Sequence, residues 1–439
     1  MYLLSLFMSI LCLLFHPQVL QYIPANGFPQ LLQVTQTTSV TRNPGATLRL
    51  TLPDTARPDV TQAVCTRLQE MHSDTLSHLS LYENVPPVLC DTGAVFTRSG
   101  PFTLSFLLLS QITTGHEGRE VSLDSMVFDM YTGRRCLMSD FVTEDAWDTI
   151  EKEFVSQIQE FYPQQSPDLS RLRQTVSRSS LKQVPFTVGV TGFELHVPSS
   201  LFYDGKTLLH IHIPYRSLEG QLTRYGQYCT NNRPYPKIAL TFDDGPAHLS
   251  TRSVMDSLRE YGASATFFLI GERLSVNHDI LFLQQNAGLS LQSHSLSHNW
   301  TLTPDQLLEE FQQMSQELSS VTGVYPSMIR IPGGNEKRYA ASLPLPMIHW
   351  TISGGDAGGS ISNPVRFSIK TTARLQDGDI LLLHDLTPNC FEYTRLILKD
   401  LTLRGFQCVT VQELFELADA PLLPGHVYFA PLSERVSFP

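Results

Sequence analysis

Two regimes of hydrophobic patterning divide the chain near Lys237. Before it, Thr103–Ser110 and Ser122–Met130 read as strands, the second closed by a Tyr131-Thr132-Gly133 turn. From about Thr143 a helix is expected, because Trp147, Ile150, Phe154 and Ile158 recur on one helical face. Val188–Val197 and Leu208–Pro214 read as two more strands around an Asp204-Gly205 turn, so residues 30–215 are expected to form an α+β domain. Tyr228–Pro236, with Asn231, Asn232, Pro234 and Pro236, has the composition of a linker, placed over 216–235.

Beyond Lys237 short apolar runs alternate with helical segments. The runs are Ile238–Phe242, Thr266–Ile270, Leu289–Gln292, Met328–Ile331, Met347–Ile352, Ile380–His384 and Gln407–Val409. Helix starts are marked by a capping box at Thr303-Pro304-Asp305-Gln306, a cap plus proline at Asn363-Pro364, and a second box over Thr410–Glu413. Such alternation over roughly 180 residues predicts an α/β domain, a parallel sheet or barrel, over 236–420. Residues 421–439 are left as a tail.

The 439 residues suit two folded units, and 42% hydrophobic with 17% charged residues excludes a disordered chain. A formal charge of -11 disfavours nucleic acid as a partner, since phosphate would be repelled. Tyr2–Phe15 is uncharged and apolar, too short for a comfortable span, and fits a secretory signal or membrane anchor within residues 1–25. A secreted or envelope-associated, extracytoplasmic protein is therefore expected. Of seven cysteines, Cys12 lies in that segment; the other six form no CxxC pair, which excludes a zinc ribbon. Cys390 and Cys408 flank one predicted helix and are candidates for a bridge. His210 and His212 share a strand face; with no third ligand in view, the expectation is two solvent-facing histidines.

In α/β folds chemistry collects at the carboxyl ends of strands, and here those ends are polar. The first gives Thr241-Phe242-Asp243-Asp244-Gly245-Pro246, two adjacent carboxylates that point differently, one free for a metal and one for a proton. The third gives His294-Ser295-Leu296-Ser297-His298, whose spacing lets both imidazoles grip one divalent cation. Arg330-Ile331-Pro332-Gly333-Gly334 delivers an arginine and a turn with bare backbone N–H groups. His349-Trp350 and Leu382-Leu383-His384-Asp385 end two later strands.

In this order the motifs resemble those of the polysaccharide deacetylases of carbohydrate esterase family 4, the NodB-homology domain, over about residues 235–418. The resemblance implies a distorted (β/α) barrel. It also implies that Asp243 is the general base, that Asp244, His294 and His298 hold a divalent metal, zinc first with cobalt, manganese or nickel as the other candidates, and that Arg330 holds the base. His384 would be the general acid, Leu382 would line the acetyl pocket, Gly333 would offer an oxyanion N–H, and Trp350 would contact substrate. An acetylated cell-wall glycan, N-acetylglucosamine or N-acetylmuramic acid in peptidoglycan, is the implied substrate; a glycan-binding pseudoenzyme or an envelope sensor is the alternative. His349 stands where the family has the aspartate that orients the acid, so the His384 pKa is expected to sit low unless Asp356 reaches the site and substitutes. Phe128–Gly133, Ser139-Asp140-Phe141 and Ile213-Pro214-Tyr215 resemble an envelope domain of unknown function that accompanies some bacterial peptidoglycan deacetylases, expected here to fold independently and do no chemistry.

Overall fold

The structure is a computed structural model that describes residues 28–43, 45–82, 87–161, 177–202, 205–340 and 342–431. The apolar leader and Asp204 of the expected turn lie outside the described residues.

The first domain has a six-stranded sheet, β1 (Val34–Asn43), β2 (Ala46–Thr55), β3 (Val88–Ser99), β4 (Thr103–Thr114), β5 (Glu117–Asp129) and β6 (Arg134–Cys136), in that order. Only β2 and β3 run parallel, which demands a crossover. Helix α1 (Pro58–Ser77) supplies it, burying Val60, Val64, Leu68 and Met71 against Phe96, Phe106 and Phe128. A second, three-stranded sheet follows: β7 (Phe186–Val188), β8 (Gly192–Pro198) and β9 (Leu208–Pro214). The expected single strand Val188–Val197 is split, because the Gly189 N–H bonds to Gly192 O at 2.8 Å and turns the chain; apolar Val190 hides that turn in the sequence. Helix α2 (Ala146–Phe161) covers this sheet with Trp147, Ile150, Phe154 and Ile158, as their spacing predicts.

The second domain is the distorted barrel. Its strands are β10 (Lys237–Asp243), β11 (Thr266–Leu269), β12 (Ser290–Ser293), β13 (Met347–Ile348), β14 (Ile352–Ser353), β15 (Asp379–His384), β16 (Gln407–Val409) and β17 (Val427–Tyr428). Parallel pairing runs β12–β11–β10–β15–β14. The ring closes through a single residue: Ile329 bridges Ser293 on one side and Met347 on the other, and Met347–Ser353 serves as one broken strand carrying β13 and β14. β16 wedges beside the amino end of β10. The connecting helices are α3 (Ser250–Tyr261), α4 (His278–Asn286), α5 (Pro304–Thr322), α6 (Pro364–Thr372), α7 (Cys390–Leu403) and α8 (Val411–Leu417). The cap signals hold: Thr303 and Thr410 form capping boxes, and Asn363 accepts from the Arg366 N–H. Val427, read as tail, is instead buried beside Met347 and Tyr339, where β17 pairs with β13.

The two domains are interlocked. Asn232, part of the expected linker, is buried and bonds Gly100 N–H, Ser99 Oγ, Val190 O and Gln407 Nε2. Helix α4 is buried on every side because it lies between domains: Phe282 sits against Gly118, where a Cβ would fall 2.2 Å from the ring, and Asn286 bonds both Gln111 and the Leu208 N–H. The histidines of β9 belong to this contact and are not solvent-facing. Thr187, His196, His210 and Gln285 O form a chain, with 2.8 Å between His196 Nδ1 and His210 Nδ1 and 2.8 Å from His210 Nε2 to Gln285 O. Burial holds His196 and His210 below the ordinary imidazole value, so they carry the chain as neutral rings. Burial also works against the charge on His212, but Glu194 and Glu416 on either side raise it well above that value. All six described cysteines are free. Cys390 opens the 14-residue helix α7 and Cys408 follows its far end. About 20 Å of helix separates them, against the ~7 Å limit between disulfide Cα atoms. Among the described residues no helix is long and apolar enough to cross a membrane.

Asp91 on β3 is the electrostatic centre of the contact, 3.0 Å from Arg252 and 3.5 Å from Arg259 of α3, with Arg49 at 3.9 Å. Burial pushes its carboxyl up, but the three guanidiniums outweigh this and hold it below the usual range. A depressed carboxylate contributes stability above its unfolded pKa of about 3.9 that is lost as pH falls through the folded value. Asp91→Ala is expected to destabilise the full chain by about 3 kcal/mol in denaturant unfolding at neutral pH. Asp91→Asn should flatten the acid limb of stability against pH.

Candidate metal centre and acid–base pair

Strand register assembles the site. β10 and β15 align Asp243 with His384 and Thr241 with Leu382, so the proposed base and acid end adjacent parallel strands side by side. Leu382 is two residues from His384 and therefore on the same face, buried below it. β11 carries Phe268 opposite Asp243, and the His294 N–H bonds Leu269 O at 2.8 Å, which brings the HxxxH loop to the same rim.

Arg330 is completely buried. Its Nη1 donates to Asp243 Oδ1 at 2.8 Å and Thr241 Oγ1 at 2.7 Å, its Nε to Ile348 O at 3.0 Å, and its guanidinium lies 4.1 Å from the centre of the Phe268 ring. With Oδ1 engaged, Asp243 leaves Oδ2 near His294 Nε2, at 3.7 Å.

Asp244 Oδ1 lies 3.6 Å from His294 Nε2 and 3.4 Å from His298 Nε2. That oxygen is buried and accepts no hydrogen bond, which is what a carboxylate awaiting a cation looks like. His294 Nδ1 donates to Arg330 O at 2.8 Å, so Nε2 carries the lone pair, and burial, the largest influence, holds the ring neutral. One carboxylate oxygen and two imidazole nitrogens suit a zinc-class cation, so the residues fit the implied metal. Asp244, Ser295 and His298 all adopt left-handed backbone, with φ of 78°, 67° and 57°. Non-glycine residues reach that region at a cost of order 1–3 kcal/mol each, and the surroundings hold them there. Glu310 on α5 accepts from the Leu296 and Ser297 N–H groups, at 3.0 Å each. Gly245 lets Asp385 approach, since a Cβ would stand 2.4 Å from Asp385 Oδ2.

The expectation for His384 is overturned. Asp356, buried, takes the place of the missing partner: its Oδ1 accepts from His384 Nδ1 at 2.9 Å, and its Oδ2 accepts from the His384 N–H at 2.8 Å and Tyr393 OH at 2.7 Å. Burial works against the imidazolium, but Asp356, with Asp243 and Asp244 further off, pushes His384 up to about 9. His349 faces elsewhere, stacked 3.9 Å from Trp350 and 3.7 Å from Glu336 Oε2. Trp350 lies 5.8 Å from the Arg330 guanidinium, and Gly333 turns with φ 73° beside Trp300.

The sequence offers Asp356 only as an alternative partner, and the structure selects it; Glu310 and Trp300, the latter 61% exposed with its ring 6.2 Å from His298, were not anticipated. The Ser353–Ala357 stretch held Asp356 in plain view, but nothing in spacing shows that its loop folds back on β15. Sequence reasoning also missed Asp385 and Glu336, each pushed up to about 7 chiefly by burial.

The polysaccharide deacetylase family model matches residues 230–344. The chain is 32% identical over 183 residues to the peptidoglycan-N-acetylglucosamine deacetylase PgdA of Listeria monocytogenes, covering 41% of this chain and 39% of that protein. It is 29% identical over 183 residues to the peptidoglycan-N-acetylmuramic acid deacetylase PdaC of Bacillus subtilis, with the same shares. A peptidoglycan-N-acetylglucosamine deacetylase of Bacillus cereus is 30% identical over 188 residues, 40% of this chain and 87% of that one. The chain thus spans about two-fifths of the length of the first two relatives.

Two outcomes follow from the geometry. Asp356→Asn is expected to bring the His384 midpoint from about 9 toward the ordinary ~6.5 in an NMR titration, whereas His349→Asp leaves it in place. Glu310→Ala frees the Leu296–Ser297 backbone and is expected to weaken zinc binding by about 10–100-fold in a competition titration.

Proposed function

The chain belongs to the polysaccharide deacetylase family, and from that premise we propose that it is a metal-dependent hydrolase removing N-acetyl groups from N-acetylglucosamine or N-acetylmuramic acid units of a cell-wall glycan, peptidoglycan first, outside the cytoplasm. The observation that carries the proposal is the register pairing of Asp243 with His384 beside the Asp244, His294 and His298 cluster. A divalent cation bound there supplies Lewis acidity, which acidifies water and polarises an acyl carbonyl. The residues of the chain do the rest.

Asp243 has one oxygen held by Arg330, so the other is aimed at the metal side of the site and takes a proton from the attacking water. The water oxygen bonds to the acyl carbon. His384, kept protonated at neutral pH by Asp356, gives its proton to the sugar nitrogen as the C–N bond breaks, releasing acetate and an amine. Leu382, buried beneath His384, offers an apolar surface to the acetyl methyl group, and Gly333 offers a backbone N–H to the oxyanion. The exposed Trp300 gives a sugar ring a flat apolar surface at the rim. The Asp356 carboxylate on His384 Nδ1 fills the position that His349 leaves empty, which favours turnover over the pseudoenzyme reading.

The full chain, loaded with zinc, is expected to release acetate from peptidoglycan or from chitin oligomers. Asp243→Asn should retain zinc and lose turnover by at least roughly 100-fold, the scale of general-base catalysis. His294→Ala should lose the metal of the Asp244, His294 and His298 cluster, and an active Asp243→Asn would reject the assignment of the base.

A further inference from the structure

A second cluster with the donor set of a cation site lies at the contact between the domains. Asp279, in the first turn of α4, is fully buried, and neither carboxylate oxygen accepts a hydrogen bond of ordinary geometry. Burying a carboxylate without donors costs several kcal/mol, and here no arginine or backbone N–H reaches the oxygens to offset it. What faces them instead is a pair of imidazoles. His248 Nδ1 stands 2.7 Å from Oδ2, and His116 Nδ1 stands 3.9 Å from Oδ1. The His116 and His248 rings meet edge to face, 5.8 Å between centres. The three donor atoms lie within 4.8 Å of one another, much as the atoms of Asp244, His294 and His298 do.

The three residues come from separate parts of the fold. His116 is at the tip of the hairpin joining β4 and β5, in the first domain. His248 follows the Asp243–Pro246 turn, and Asp279 begins α4. The hairpin is already docked, since the Asp279 N–H bonds His116 O at 2.7 Å. Asn277, next to α4, donates to Pro246 O at 3.3 Å. Thus a cation here would tie the first domain to the loop that leaves the base and the first metal ligand.

We propose that His116, His248 and Asp279 form a second divalent-cation site of the zinc class, which staples the β4–β5 hairpin to the deacetylase barrel. Two imidazoles and one carboxylate are the ligand types such a cation takes, and three protein donors leave one position for water. The cation also resolves the buried carboxylate, neither of whose oxygens accepts a hydrogen bond. The site is distinct from the Asp244, His294 and His298 cluster and does not depend on the deacetylase reading.

The test titrates the chelator-stripped full chain with zinc and measures bound metal per chain. Two equivalents are expected for the wild type, one for His116→Ala and one for His294→Ala. In a His294→Ala/His298→Ala background one equivalent should remain, and adding His116→Ala should weaken it by more than the roughly 10–100-fold that loss of an outer-shell partner costs. His116 is 63% exposed in its side chain, so its replacement should not disturb folding, which circular dichroism checks. Thermal unfolding adds a second readout: zinc should raise the midpoint of the double variant and leave that of the triple variant unmoved. One equivalent in the wild type that survives His116→Ala and disappears in His294→Ala would overturn this site and leave the catalytic one standing. The opposite pattern would support this site and remove the other.

Discussion

A single buried cation organises the barrel. Arg330 has no solvent contact, and taking a guanidinium and the Asp243 carboxylate out of water costs several kcal/mol for each ion. The cost is tolerable only because the Arg330 donors are shared out: to Asp243 and Thr241 on β10, to Ile348 O on β13, and to the face of Phe268 on β11. Those partners sit on different staves of the barrel, so the guanidinium locks them in relative position. It also decides which oxygen of Asp243 remains for chemistry. Stability and function here share one side chain, and a shorter or uncharged residue in its place would leave Asp243 buried without compensation.

Buried polar groups also shape the domain contact. Helix α4 would be an odd surface helix, since it is buried on all sides and carries Gln284, Gln285 and Asn286 inside. It makes sense as the shared element of two domains: its apolar residues fill the contact, while Asn286 and Gln285 pair with Gln111, Leu208 and His210 across it. A contact built from geometrically strict hydrogen bonds resists sliding more than one built from apolar surface alone. The rigid frame behind the catalytic rim therefore includes β5 and β9 of the first domain, and the expectation of an independent module joined by a linker gives way to one of a braced barrel.

Much of this was legible beforehand. Alternating apolar runs located every barrel strand except β17, which was read as tail, because a parallel strand buried on both faces leaves a continuous apolar signature. Capping boxes at Thr303 and Thr410 located helix starts to the residue, because a cap is a local device whose partners are three residues apart. The convergence of Asp244, His294 and His298 was legible for the same reason, the three residues being packed into two short motifs. What stayed hidden was long-range. Asp356, legible only as an alternative, reaches His384 across 28 residues, while Glu310 reaches Leu296 across 14 and Asn232 reaches Gln407 across 175. No periodicity encodes such contacts. The linker reading failed for a related reason: asparagine and proline mark irregular backbone, and irregular backbone can be packed as tightly as a strand when each amide finds a partner.

The charge balance of the rim shows why its parts hang together. Asp243, Asp244, Asp356, Asp385 and Glu336 all lie at or near the rim, where Arg330 is the fully buried permanent cation and His384 a proton-dependent one. The surplus of negative potential is visible in its effects. Asp385 and Glu336 are pushed up to about 7, first by burial, with Asp243 adding to both and Asp244 to the former. His384 is pushed up to about 9 in the same field. A divalent cation between Asp244, His294 and His298 would cancel part of that surplus, drawing Asp385 and Glu336 back toward the ionised form. It would also remove the support that Asp243 and Asp244 give the His384 imidazolium, leaving the direct hydrogen bond with Asp356, already the largest of the raising influences, as what keeps that ring charged.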